Sequence, residues 1–89
     1  MNITINYKAK NGIANLMKKA REFGKENGVK VQGDDSSGTV TKGGLLPVKG
    51  TYTIKGENII LEVTQIPFLI SEGTAKSEIL KWLEQNDIK

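Results

Sequence analysis

The chain contains no cysteine and no histidine. Without thiols there is neither a disulfide framework nor a thiolate metal centre. Without imidazole, the usual neutral-pH general base and the commonest metal ligand are both gone. A histidine-based triad is therefore impossible, and only carboxylate sites for hard cations stay open. Arginine is scarce as well, with Arg21 the single example. Base reading in nucleic acids favours the planar arginine fork, whereas phosphate attraction needs only lysines. Long apolar runs are also missing. The longest, Ile59-Ile60-Leu61 and Ile66 to Ile70, fall far short of a membrane span. Residues 1–12 alternate in polarity and lack the apolar stretch of a signal peptide. A cytoplasmic protein is expected.

What remains is a chain of 89 residues, 37% apolar, with ten glycines. That length suits one domain over residues 1–89, with one sheet-plus-helix core. The formal charge of +3, from 13 basic and 10 acidic side chains, bears mainly on solubility.

Ile3, Ile5 and Tyr7 alternate with Thr4, Asn6 and Lys8, the period-two pattern of a half-buried strand. Asn11-Gly12 closes it, with Asn11 a candidate cap for the next helix. Residues 13–27 carry one apolar stripe, Ile13, Leu16, Met17, Ala20 and Phe23, and end at Asn27-Gly28. Gly24 inside this helix costs about 1 kcal/mol against alanine, and a close helix–sheet approach would explain it. Val29 and Val31 open a second strand, and Gln32 to Gly38 reads as a polar turn or loop. Thr39 to Thr41, Lys49 to Ile54 and Asn58 to Ile66 supply three further strands. Pro67 ends the last one, and helix-start signals at Ser71 to Thr74 open a second helix reaching about Gln85. Tyr7, Tyr52 and Phe23 read as core residues, and Trp82 as a core or helix–helix contact. The order β-α-β-β-β-β-α predicts an α+β fold, a single antiparallel sheet with two helices packed on one face.

Most candidate chemistry is weak. Asp34-Asp35-Ser36-Ser37-Gly38 offers oxygens but lacks the spacing of a calcium loop, so a solvated turn is expected. Gly43-Gly44 and Gly50 lack the lysine and helix start of a phosphate loop. Glu57, Glu62, Glu72 and Glu78 make no recognisable acid–base pair, and Lys76 beside Ser77 would not face it on a helix.

Two apolar segments stand out, Leu45-Leu46-Pro47-Val48 in a turn and Ile66-Pro67-Phe68-Leu69-Ile70 after a strand. A three-strand meander places both at one end of the sheet. There they either seal the core beneath the second helix or form an exposed apolar patch.

The stretch Gly50-Thr51-Tyr52-Thr53-Ile54-Lys55-Gly56-Glu57-Asn58-Ile59-Ile60-Leu61-Glu62-Val63 continues through Ile66 to Ile70 into the helix ending near Leu83. In that run the chain resembles the small polyhydroxyalkanoic acid system, or granule-associated, proteins. The N-terminal strand and amphipathic helix come in a similar order, so the resemblance covers nearly the whole chain. The family often places a histidine after the first strand, and this chain does not. The resemblance implies no catalytic residue. It implies association with a polyester storage granule, whose apolar surface suits an exposed patch.

The expectation is a non-enzymatic interaction module without a cofactor. Its apolar end, Leu45, Leu46, Val48, Phe68 and Leu69, would meet another protein, a second copy or a hydrophobic granule. The alternative is a nucleic-acid accessory protein using Lys10, Lys18, Lys19, Arg21 and Lys25.

Overall fold

A computed structural model describes residues 3–43, 47–67 and 69–88. It contains strands β1 (Ile3–Lys8), β2 (Val29–Gly33), β3 (Ser37–Lys42), β4 (Val48–Lys55) and β5 (Asn58–Gln65). Helix α1 (Ile13–Asn27) follows β1, and helix α2 (Glu72–Asn86) follows β5. The strands form one antiparallel sheet in the order β1-β5-β4-β3-β2, the α+β fold expected. The first strand therefore closes the sheet beside the last, with Ile3 opposite Val63 and Tyr7 opposite Ile59. Helix α1 carries the chain from the β1 edge to the β2 edge.

The alternation along β1 is complete. Ile3, Ile5 and Tyr7 are buried, while Thr4, Asn6 and Lys8 face solvent. The other strands continue that outer face with Thr51, Thr53, Lys55, Glu62 and Thr64, all exposed. The helices therefore cover one face only.

Helix α1 ends where its sequence says it should. Gly28 takes the left-handed conformation (φ 71°) and its N–H returns to the Gly24 carbonyl. Gly24 is buried against β2, and a side chain there would collide with the Val29 carbonyl. The start of α1 differs from expectation. Gly12, not Asn11, is the N-cap, and it has no side chain of its own to cap the helix. Glu57, from the β4–β5 turn, accepts from the Ile13 N–H at 2.8 Å instead. Its carboxylate suits the positive end of the helix. Helix α2 starts on the Ser71 hydroxyl, which accepts from the Thr74 N–H at 3.2 Å.

The segment read as a polar turn or loop from Gln32 to Gly38 is a tight hairpin turn, shorter than that range. Both strands run into it, and Gly33 pairs with Gly38. Asp34 makes this possible by accepting from the N–H groups of Ser36 (2.8 Å) and Ser37 (3.0 Å). Gly38 then leaves room for the Tyr52 ring, which lies where a Cβ would be and donates to the Asp34 carbonyl at 2.6 Å.

Burial is uneven across the sheet. The sealed core gathers Ile3, Ile5, Tyr7, Ile59, Val63 and Tyr52 beneath Leu16, Met17 and Leu83. On the other side, the inward residues Val29, Val31 and Val40 are only half-buried.

Candidate functional site

That half-covered region is a cleft of about 500 Å³ between the sheet and the two helices. Its floor is Val29, Val31, Val40, Val48, Leu61 and Val63, and its walls include Met17, Ala20 and Phe23 of α1 with Ile79 and Trp82 of α2. The local cause is legible in the side chains. Ala20 and Gly50 are small residues at inward positions, and a helix wall with alanine in place of leucine leaves the valine floor uncovered. Cleft size and apolar lining match what small-molecule sites need.

Glu78, Lys81 and Gln85 of α2 add polar groups to this lining, and two further polar features interrupt it. Lys42 lies on the same face of β3 as Val40, so a half-buried lysine occupies an inward position, with Val48 and Val29 as its cross-strand neighbours. No carboxylate pairs with it among the described residues. The second feature is the indole of Trp82. Its ring packs on Phe23 with centroids 4.9 Å apart, which ties α1 to α2. Its Nε1 is buried and has no hydrogen-bond acceptor among the described residues. A buried donor without an acceptor costs roughly 1–3 kcal/mol. Phe23, read from the sequence as core, is 37% exposed at the cleft wall.

The one buried charge among the described residues lies elsewhere, at the end of α2. Asp87 is 6% exposed. Its Oδ2 accepts from the Tyr7 hydroxyl (2.7 Å) and the Lys10 N–H (2.7 Å), and its Oδ1 from the Asn11 N–H (2.9 Å). The Asn11 side chain donates to the Asp87 carbonyl, and Asn15 donates to that of Ile88. Burial opposes the Asp87 charge, but the donors on Lys10, Tyr7 and Asn11 outweigh it and hold the carboxyl below its ordinary value. Burial, then the bond to Asp87, pushes the Tyr7 phenol up to about 12. This cluster clamps the end of α2 to the β1–α1 turn, and both carboxylate oxygens of Asp87 are engaged within it. It has the character of a structural clasp. Sequence reading missed Asp87, although a buried tyrosine on β1 was a signal that some acceptor must meet its hydroxyl.

The sequence-predicted residues scatter. Val48 lines the cleft, and Leu69 is 79% exposed. Leu45, Leu46 and Phe68 lie outside the described residues. The strand ends that flank the two apolar segments do share a rim, since Lys42 pairs with Val48 and Lys49 with Gln65. Of the basic set, Lys18, Arg21 and Lys25 come together on one side of α1, but Glu22 and Asp35 sit among them. Arg21 is drawn to Asp35 (3.5 Å) and to the Asp34 carbonyl (3.4 Å). Lys10 stands apart in the β1–α1 turn, and Lys19 is not part of the group. Asp34 and Asp35 are thus occupied by the turn and by Arg21. No group of three or more carboxylates gathers among the described residues to hold a cation. No helix among them is long and apolar enough to cross a membrane.

Compared with family models, curated proteins and solved structures, the chain finds no match in any of the three.

Proposed function

We propose that the chain is a non-enzymatic binding module whose recognition element is the cleft between the sheet and the two helices. One observation carries this reading. Inward valines of β2 and β3, which an ordinary core would seal, line about 500 Å³ of apolar space beside α2. Apolar surface left accessible gains about 25 cal/mol for each Å² that a guest covers. The neighbouring half of the sheet shows that this chain can seal a core where its side chains are large enough. Chemistry has little to work with, because the cleft's titratable groups are Lys42, Tyr52, Glu78 and Lys81, and no histidine or cysteine exists to assist them.

Nile red, a neutral apolar dye, tests the reading. The single tryptophan, Trp82, lies in the cleft wall and reports occupancy through its emission. Saturable binding with quenching of that emission is expected. Ala20→Leu keeps a good helix former and adds side-chain volume inside the cleft, so dye affinity should fall at least about tenfold with the thermal midpoint kept or raised. Equal dye binding by the parent and Ala20→Leu would sink the reading, as would no binding to the parent.

A further inference from the structure

The two polar interruptions of the cleft say what kind of guest it takes. Resting on the reading above, we propose that the cleft binds a single-chain amphiphile with a carboxylate head, of the medium-chain fatty acid class. Three independent features converge on this ligand.

The lining is aliphatic, with valine, leucine and isoleucine dominating floor and walls, which suits a flexible hydrocarbon chain. The inward Lys42 presents a positive charge to this apolar space, at a sheet position where period two would put another valine. A lysine there can extend its ammonium to the rim, and with no carboxylate partner among the described residues it is left to attract an anion. The indole N–H of Trp82 is a buried donor in want of an acceptor. A carboxylate answers the ammonium with charge, and once the indole turns to uncover its N–H it offers that donor an oxygen. Lys81 adds a second positive charge at the rim, and Glu78 limits how much negative charge is tolerated there. A singly charged head satisfies this balance better than a phosphate or a polyanion. The cleft thus acts as a one-ended slot, with polarity fixing which way the chain lies.

Isothermal titration of the full chain with sodium decanoate, 1-decanol and sodium butyrate tests this, with Trp82 emission as a second readout. Decanoate should bind saturably and quench Trp82. Decanol should bind about tenfold more weakly, and butyrate should show no binding. From hexanoate to decanoate, each added methylene should tighten binding about fourfold. Lys42→Gln should weaken decanoate about tenfold and leave decanol unchanged. Trp82→Phe, read by calorimetry, should weaken both ligands by a similar factor. A normal urea unfolding curve for each variant shows that its fold is intact.

Equal affinity for decanol and decanoate would overturn the carboxylate assignment, as would indifference to Lys42→Gln. In either case Nile red binding would leave the broader reading standing. Loss of both Nile red and decanoate binding would remove the two together. Concentration-dependent dimerisation that decanoate fails to reverse would assign the cleft to a second copy and likewise overturn the proposal.

Discussion

Replacing Asp87 with alanine should be among the most damaging single changes available in this chain. Two effects oppose each other at that position. Asp87 caps the C-terminal end of α2, where the helix dipole disfavours negative charge by about 0.3–1 kcal/mol. If the dipole dominated, Asp87→Ala would stabilise the protein. The hydrogen bonds argue the reverse. The Tyr7 hydroxyl, on a residue only 9% exposed, would keep no acceptor and little access to water. That alone costs roughly 2 kcal/mol. The Lys10 and Asn11 N–H groups are part-buried and can regain water, which leaves roughly 0.5–1 kcal/mol each. The sum, less the dipole relief, is a loss of roughly 2–3.5 kcal/mol. For a domain of this length, total stability is roughly 4–13 kcal/mol, so the change removes a large share. The thermal midpoint should drop by roughly 10–20 °C. Urea unfolding followed by Trp82 emission measures the loss directly. Tyr7→Phe alone should cost roughly 1–2 kcal/mol, and the double variant should cost less than the two singles added, by about 1 kcal/mol. A stability within about 0.5 kcal/mol of the parent would refute the clasp. Strict additivity of the two changes would refute the direct Tyr7–Asp87 coupling.

The same cluster sets the pH profile. The carboxyl of Asp87 is held below its ordinary value, so its contribution is complete above about pH 4 and is lost as pH falls through the folded-state value. The Tyr7 phenol is raised from 10 to about 12, so that contribution is complete below pH 10 and is lost between those values. With no histidine to titrate between them, the urea midpoint should be flat from about pH 5 to 9 and fall at both ends. Asp87→Asn should flatten much of the acid limb, leaving a share to Asp34, whose carboxyl the Ser37 and Ser36 N–H groups also hold low. An unchanged acid limb in that variant would contradict the assignment. Gly38→Ala should cost roughly 2–3 kcal/mol, since its methyl would meet the Tyr52 ring and the Gln32 carbonyl. Gly43→Ala, with open space around it, should stay within about 0.5 kcal/mol; similar losses for both would show that Tyr52 packing is not the cause.

Local features of the fold were legible because local physics dictates them. The alternation of Ile3, Ile5 and Tyr7, the Asn27-Gly28 stop and the serine start of α2 each depend on neighbours a few residues away. The turn between β2 and β3 was legible from its polar residues, but the strand ends at Gly33 and Ser37 were not, because pairing there rests on glycines, which carry no hydrophobic period, and on the Asp34 side chain closing the turn. Asn11 looked like a helix cap because capping preferences describe residue types, whereas its actual partner, Asp87, lies 76 positions away. The cleft was the least legible feature. It arises from a shortage of side-chain volume at Ala20 and Gly50 against half-covered valines, and no single residue type signals such a shortage. Lys42 carried the nearest hint, a charge at an inward position of a strand whose short reading had stopped at Thr41.

The placement of β1 beside β5 has a consequence during synthesis. Made before the rest of its sheet, β1 has no neighbour to bond with until residues 58–63 have followed it. The β3–β4–β5 meander can zip up sequentially, while Ile3, Ile5 and Tyr7 wait as a greasy, unmatched ribbon. Fastening to Asp87 comes later still, so within this sheet the aggregation risk during synthesis falls on the strand made before its partners.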